Sequence, residues 1–401
     1  MADAPSDIVA NTFARNIGGG RRWRWLLQQL HLWTGLVLCV PLVLLGLTGS
    51  VLVFQDELRD LADPLPRSQS GEAKSPSAII AAAATKIPSG AAPSLFIAPE
   101  SPGDLASVRF AQRGAAPGPG GIQVFVDPVS LDVLGVREPN AGIVRQIFML
   151  HANLLMRDRS GRAVIGWLGV AMCGLGVTGL VLWWPRSGQW RAAFAIRQGA
   201  RGLRLHRDLH GMVGIWGVIV FLIVSVSGTY LAFPQAIGAA TRAIMPARDL
   251  RAVPTVTPPA GERPQPLDAD AAVALAHAAG VAGTLRTIAL PNRPDQAVRL
   301  GFLPAGAGHG QPPATVFIDP WTHRVIEVRD PRAFTAAETA LVWQHSLHAG
   351  EGLGWLWKLL VFASGFMPAL FVITGLSMWL IKRRAKRAVL PRRLPAVKPA
   401  E

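Results

Sequence analysis

Histidine is the residue type whose positions in this sequence most strongly suggest chemistry. Six of the nine histidines lie at or near the ends of long apolar segments: His31, His151, His206, His210, His345 and His348. An imidazole is costly to place in lipid, so a histidine at such a depth usually faces a partner, a cavity or a metal. Three roles are open: ordinary interfacial histidine, a proton or ion pathway, and axial ligation of haem iron.

Two of these histidines occupy equivalent positions in repeated segments. The interval from His31 to Gly49 is the same as the interval from His210 to Gly228. Haem iron held by two imidazoles needs one histidine from each of two helices, on opposite faces of the porphyrin. The equivalence therefore favours His31 and His210 as a pair of ligands to one haem near the cytoplasmic surface.

Glycines accompany both histidines at helical spacing. Gly35 follows His31 by four positions, and Gly214 and Gly217 follow His210 by four and seven. These intervals place the glycines on the same helical face as the histidine. We expect that face to be free of bulk, so that a flat macrocycle could lie against the backbone.

A second pair follows from the same reasoning. His151 precedes Gly179 by nearly the same interval as His348 precedes Gly375, with a difference of one position in the intervening loop. Both histidines precede their apolar segments, so the helices must begin early or the histidines must lie on short lead-in segments. This pair would hold a second haem near the outer surface.

Two further histidines are alternates to these ligands. His206 lies four positions before His210, and His345 lies three before His348, so either could replace its neighbour or support it. Because His206 would lie a turn further into the cytoplasm, we favour His210. A zinc site at His206 and His210 is disfavoured, since the nearby carboxylate, Asp208, lies on the wrong helical face.

Long apolar segments indicate the elements that must carry these residues. Four nearly uncharged windows are each long enough to cross a hydrocarbon core of about 30 Å as a helix. They are Leu30 to Phe54, Ala163 to Trp184, Gly211 to Phe233 and Trp355 to Ile381. The sequence thus predicts a membrane protein with four transmembrane helices.

The net charge of +15 is concentrated on short segments beside these helices. Segments 1–30, 185–207 and 381–401 carry 18 of the 40 Lys and Arg residues but only three acids, which leaves the remainder neutral. This is the cytoplasmic bias of the positive-inside rule, so both termini are predicted to be cytoplasmic. Nucleic acid is therefore not an expected partner.

The segments between the helices repeat as well. Val124 to Pro128, "VFVDP", matches Val316 to Pro320, "VFIDP", at an offset of 192, and Pro99 meets Pro291 at the same offset. Each segment has an Ala-rich helix candidate followed by strands that end in an Asp-Pro turn. The chain is thus predicted to duplicate one unit of two helices around a small α+β domain, with the two units parallel.

These patterns give the following organisation. The predicted segments are a cytoplasmic N-terminus 1–29, helix 30–54, outer domain 55–148, lead-in and helix 149–184, cytoplasmic loop 185–207, helix 208–233, outer domain 234–344, lead-in and helix 345–381, and a basic cytoplasmic tail 382–401.

Several motifs in this order resemble those of a known family. They are "LHLWTG", "GLTG", "MLHANLL", "TGLVLWWPR", "DLHGMVG", the two Val-x-Asp-Pro modules, "LHAGEGLG" and "TGLSMWL". Together they resemble the PepSY-associated transmembrane proteins, also called iron-regulated membrane proteins, over residues 21–385. The resemblance implies a membrane α-helical fold of four helices with two PepSY-like α+β periplasmic domains.

The resemblance also implies a function. Family members include di-haem reductases of ferric siderophores, and the carried-over ligands are His31, His210, His151 and His348, holding two haem b groups. We therefore expect a multi-pass protein of the bacterial inner membrane that takes electrons from a quinol or cytoplasmic donor and reduces a periplasmic ferric siderophore or other iron chelate. No protein nucleophile or acid–base pair is required.

Two other functions remain open. The outer modules could bind a peptide or protein partner, as in protease regulation, with the helices as an anchor. A permease for iron chelates is the third possibility. An anchor has no use for histidines at matched positions, and a permease would favour polar residues at mid-membrane, which these helices lack.

Overall fold

The protein forms two compact units. The computed structural model describes residues 19–87, 90–112, 121–156, 158, 160–185, 188–260 and 267–389, so parts of the predicted N-terminus, loop, outer domains and tail lie outside the described residues. The helical unit comprises Met1–Val51, Arg162–Thr229 and Leu360–Glu401, and the sheet unit comprises Leu52–Gly161 and Tyr230–Leu359.

The described helices and strands alternate in two similar series. The helices are α1 Gly19–Val37, α2 Cys39–Leu52, α3 Gln55–Ala62, α4 Pro76–Ala84, α5 Ile143–Asn153, α6 Ser160–Trp183, α7 Trp190–Ala193, α8 Gly202–Ala232, α9 Pro234–Ile244, α10 Ala269–Ala278, α11 Ala336–Val342, α12 Gln344–Ala349, α13 Trp355–Ser364 and α14 Met367–Val389. The strands are β1 Ala91–Ile97, β2 Ala106–Gln112, β3 Ile122–Val126, β4 Val133–Arg137, β5 Thr284–Ala289, β6 Val298–Leu303, β7 Ala314–Ile318 and β8 Val325–Arg329.

Three helical segments are long and apolar enough to cross a membrane: Ser160–Trp183, Gly202–Ala232 and Trp355–Arg387. The α1–α2 pair, Arg22–Val37 and Cys39–Leu52, meets the same criteria only when taken together, with a bend of 67° between its halves. The described residues therefore contain three candidate spans, or four if the bent pair is one span.

Prolines account for the interruptions in two of these segments. Proline lacks the N–H that would bond the carbonyl four positions earlier, and its ring clashes with that carbonyl. Four positions before Pro41 is Val37, where α1 ends, and four before Pro368 is Ser364, where α13 ends. The missing backbone bonds thus coincide with both breaks.

Glycines in the helical unit allow helices to cross closely at two equivalent points. A β-carbon at Gly365 would collide with the side chain of Ser50, and one at Gly169 would lie 2.6 Å from Oγ1 of Thr229. Ser50 and Thr229 each follow the glycine of a repeated segment, Gly49 and Gly228, and so occupy equivalent positions. The predicted repeat is therefore visible in the packing of the helices.

The sheet unit contains one continuous antiparallel sheet rather than two separate ones. Its eight strands have the order β4-β3-β2-β1-β5-β6-β7-β8. Each repeat contributes a four-stranded meander, and β1 pairs with β5 to join them. The two predicted α+β domains are thus halves of a single fold.

Helices α4 and α10 pack on this sheet through small and branched side chains. Ile79 and Ala83 of α4, and Ala272 and Ala276 of α10, are buried in one core with strand residues from both halves. Alanine has the highest helix propensity and keeps a helix close to the sheet. The Ala-rich segments of the sequence therefore form the helical layer of a shared core.

Candidate functional site

The structure brings His31 and His210 together in the helical unit. His31 lies on α1 and His210 on α8, both are partly buried, and their ring centroids are 6.3 Å apart with an interplanar angle of 74°. These are the two histidines that the repeat identified as equivalent. Their proximity is a property of the fold, since α1 and α8 are far apart in the sequence.

Each histidine of this first pair is held by a threonine of another helix. Nδ1 of His31 lies 2.8 Å from Oγ1 of Thr178, and Nδ1 of His210 lies 2.8 Å from Oγ1 of Thr374. The His31–Thr178 contact and the His210–Thr374 contact lie at matching positions in the two repeats. Sequence reasoning missed both threonines, although they begin the matched "TGL" motifs.

The threonine hydroxyls fix the tautomer of the histidines. Thr178 Oγ1 also lies 2.7 Å from the carbonyl oxygen of Gly174, and Thr374 Oγ1 lies 2.7 Å from that of Leu370. A hydroxyl has one proton, and a carbonyl oxygen can only accept. Both contacts are satisfied when the hydroxyl donates to the carbonyl and accepts from Nδ1–H. Nε2 then carries the lone pair, which is the state of a neutral imidazole ligand.

Glycines make room for the imidazoles at the next position of the same motifs. A β-carbon at Gly179 would lie 3.3 Å from Cε1 of His31, and one at Gly375 would lie 3.7 Å from Cε1 of His210. The contact at Gly179 is tighter than ordinary van der Waals contact. Each "TGL" motif therefore supplies a hydrogen-bond acceptor and an open space to one histidine.

The three glycines predicted beside the histidines have different surroundings. A β-carbon at Gly35 would lie 3.9 Å from Leu175, and one at Gly214 would lie 3.9 Å from Phe371, which are ordinary contacts. At Gly217 a β-carbon would meet the flexible end of the Met367 side chain, which would have to move. Gly35 and Gly214 are the positions where the backbone leaves space beside the first pair.

The structure also brings His151 and His348 together, in the sheet unit. His151 lies on α5 and His348 on α12, and their ring centroids are 6.1 Å apart with an interplanar angle of 44°. Both helices are short and precede the candidate spans as separate elements. α5 is followed by two left-handed residues, Leu154 and Leu155, with φ values of 53° and 59°.

The ring separations fit a metal ion held between two imidazoles. Two ring nitrogens that bind one ion from opposite sides at about 2.0 Å place the ring centroids roughly 6 Å apart. The separations of 6.3 and 6.1 Å agree with this value. They also fall within the range of about 4.5–7 Å for direct ring contacts.

The alternates occupy less suitable positions. His345 is exposed, whereas His348 is partly buried and faces His151. His206 is partly buried, and its Nδ1 has no hydrogen-bond partner within the described part of the chain. The ring of His206 is not paired with another histidine there, which favours His210 as the ligand.

The remaining histidines lie on the surface. His277, His309 and His323 are exposed; Nδ1 of His277 bonds the carbonyl of Val281, and that of His309 lies 2.6 Å from Oε2 of Glu100. Within the described ranges, no three His, Cys, Asp or Glu side chains are grouped so that they could hold a metal ion. A bis-histidine haem needs only two such ligands, because the porphyrin supplies the other four.

Comparison with known proteins places the chain in a family. No curated protein matches the sequence. The pattern of the family described as "PepSY-associated TM region" matches residues 28–382, which include all four candidate ligands and the whole eight-stranded sheet. The match covers nearly the entire chain and agrees with its apolar helices and duplicated α+β halves. The chain is a membrane protein that belongs to the PepSY-associated transmembrane family.

Proposed function

We propose that this protein carries electrons across the bacterial inner membrane on two haem b groups and reduces a ferric chelate on the periplasmic side. The observation that carries the proposal is the meeting of four histidines, predicted from sequence as two equivalent pairs, at ring separations of 6.3 and 6.1 Å. Ordinary interfacial histidines are not expected to form close pairs in both units.

The first pair would be the axial ligands of one haem. Thr178 and Thr374 accept hydrogen bonds from Nδ1–H, which orients each ring and leaves Nε2 available to iron. Outer hydrogen bonds of this kind fix the tautomer and raise the basicity of metal-bound histidine. Gly179 and Gly375 allow the rings to adopt these positions.

The second pair, His151 and His348, would hold the other haem. Haem iron accepts and releases single electrons, and its potential depends on axial ligands, burial and nearby hydrogen bonds. If the bent α1–α2 pair is one span and the basic segments are cytoplasmic, the first pair would lie toward the cytoplasm and the second toward the periplasm. A quinol or a cytoplasmic reductant would supply the electrons.

A ferric siderophore is the acceptor that this arrangement favours. Hydroxamate and catecholate oxygens are hard ligands that bind Fe(III) much more strongly than Fe(II). Transfer of one electron to the chelated Fe(III) gives Fe(II), which the chelate releases. The protein then acts as a ferric-siderophore reductase in iron uptake.

Absorption spectroscopy of the purified protein tests this proposal. We expect a Soret band, an α band on reduction with dithionite, and two haems per chain. His31→Ala or His210→Ala should remove one haem, and His151→Ala or His348→Ala should remove the other. His323→Asn, a change of an exposed histidine, is the control and should retain both.

The absence of haem absorption would contradict the proposal. A protein without Soret absorption in well-folded preparations would refute the haem proposal. The alternative of a membrane-anchored module that binds a peptide or protein partner would then be favoured, because it needs no pigment.

A further inference from the structure

A cavity in the sheet unit lies beside the segment that continues from His348. It has a volume of about 370 Å³, within the range of small-molecule sites. Its wall includes Gly350, Glu351 and Gly352, which follow the helix that carries His348, and Trp355 at the start of α13. The cavity is thus next in sequence to a proposed haem ligand.

Hydrogen bonds hold this wall in place. The N–H of Gly352 donates to the carbonyl of His309 at 3.1 Å, and Nε2 of Gln311 donates to the carbonyl of Gly352 at 3.2 Å. The hydroxyl of Ser346 donates to the carbonyl of Gly310. Two loops distant in sequence are therefore joined at this wall of the cavity.

Acidic side chains outnumber basic ones in this cavity. Asp56, Glu57 and Glu351 line it together with one lysine, Lys358, which pairs with Glu57. Burial acts to raise the pKa of Glu57, but the hydrogen bond and charge of Lys358, a backbone hydrogen bond and the nearby His309 together outweigh this effect, so the pKa is lowered. Asp56 pairs with Arg59 at 3.1 Å and Glu57 with Lys358, so the excess negative charge of the cavity comes from Glu351.

An aromatic surface accompanies the charge. Trp355 is 62% exposed and lines the cavity, although it lies at the start of an apolar helix. The ammonium group of Lys358 lies 5.9 Å from the centre of its ring and 4.9 Å from that of Phe54. Indole faces attract cations and pack against apolar ligand surface. Charge and aromatic surface thus favour the same ligands.

We propose that this cavity binds the iron chelate and that its carboxylates select chelates of positive or zero net charge over anionic ones. The inference rests on the proposed function and narrows it. It favours neutral or ammonium-bearing hydroxamate complexes and disfavours catecholate complexes, whose ligands leave the iron centre with a large negative charge.

A matched ligand series tests charge selection without relying on activity. The probes are the redox-inert Ga(III) complexes of one trihydroxamate with a free ammonium group, its neutral N-acetyl form and its anionic N-succinyl form. All three share one metal centre. We expect calorimetry at low ionic strength to show binding that weakens from cation to anion by roughly tenfold, with the difference shrinking at high salt.

Substitutions at Glu351 test whether the charge selection arises in this cavity. Glu351→Gln should reduce the preference, and Glu351→Lys should reverse it. Glu138→Lys makes the same charge change at an exposed position outside the cavity and should leave the order unchanged. If no complex binds, if charge has no effect, or if Glu138→Lys acts as strongly as Glu351→Lys, the inference is wrong.

The corresponding Fe(III) complexes separate this inference from the proposed function. Protein reduced with dithionite should be reoxidised fastest by the cationic complex, with one electron passing to each Fe(III). Haem-containing protein that reduces all three at one rate would overturn charge selection alone. Protein that binds the Ga(III) complexes but contains no haem would instead overturn the reductase proposal.

Discussion

Phe96 of β1 lies directly opposite Ile288 of β5, and the two residues are equivalent in the two repeats. Their flanking pairs are Leu95 with Ala289 and Ile97 with Thr287, so the repeat maps each side of the pairing onto the other. A local twofold axis therefore passes through the Phe96–Ile288 pair. The repeats contact each other as the subunits of a symmetric dimer would.

This relationship predicts that the sheet unit unfolds as one cooperative unit. Phe96 is 2% exposed, and Phe96→Ala should lower the free energy of unfolding by about 3–5 kcal/mol, because it opens a cavity in the shared core. Thermal unfolding followed by circular dichroism should show one transition shifted to lower temperature. Val136→Ala, on the exposed face of edge strand β4, is the control. Two separate transitions would contradict a single folding unit.

The duplication could be predicted from sequence, but the joining of its halves could not. Matching segments such as Val124–Val126 and Val316–Ile318 indicate that each half has the same strands. The alternation of apolar and polar residues in a strand predicts which side chains are buried, but it does not predict which strand edges pair with each other. The β1–β5 pairing is a contact between two edges, and the hydrophobic alternation of a strand is the same at an edge or in the centre.

The histidine pairs were likewise predictable, whereas their threonine partners were not. Equivalent positions in a sequence repeat are enough to identify His31 and His210 as partners. A threonine within a helix usually bonds a carbonyl of its own helix, and Thr178 and Thr374 do so as well. Their second contact, to a histidine of another helix, depends on helix packing that the sequence does not specify.

The imidazole of His31 has room only because position 179 is a glycine. A leucine there would extend well beyond the β-carbon position, which already lies 3.3 Å from His31 Cε1, so the imidazole would be displaced. Gly179→Leu should therefore lose the haem of the first pair and retain that of the second, as measured by the haem-to-chain ratio. Gly174→Leu on the same helix is the control, because nothing lies within 4 Å of its β-carbon position. Retention of both haems in Gly179→Leu would contradict this prediction.

Glu338 should make the stability of the sheet unit depend on pH. Its carboxylate is 1% exposed and pairs with Arg248 at 2.8 Å, and the hydrogen bond from Arg248 is the main cause that lowers its pKa to about 2. It also accepts from the N–H of Thr335 in a capping box.

A carboxyl whose pKa is lowered by folding stabilises the protein above its unfolded pKa, and this stabilisation is lost as the pH falls through the folded value. Glu338→Gln should cost about 2–3 kcal/mol at neutral pH. The difference in melting temperature from the unmodified protein should shrink between pH 4.5 and about 2. Exposed Glu138→Gln is the control, and a difference that does not change with pH would contradict the assignment.

The Thr178 hydroxyl should set the properties of the haem that His31 ligates. Thr178→Val keeps the shape of the side chain but removes the acceptor for Nδ1–H, so the ring loses its fixed tautomer and orientation. Loss of such an outer partner weakens metal binding by about 10–100-fold.

Thr178→Val should accordingly lower the affinity for the first haem and shift its midpoint potential, as followed by redox titration, while the second haem is unchanged. Thr178→Ser restores a hydroxyl and should restore both properties. Ser225→Ala removes a buried hydroxyl of α8 that donates to Phe221 of the same helix, and should change neither. If Thr178 had a purely structural role, Thr178→Val would lower stability and leave the midpoint potential unchanged, so the potential decides whether the threonine acts through its histidine.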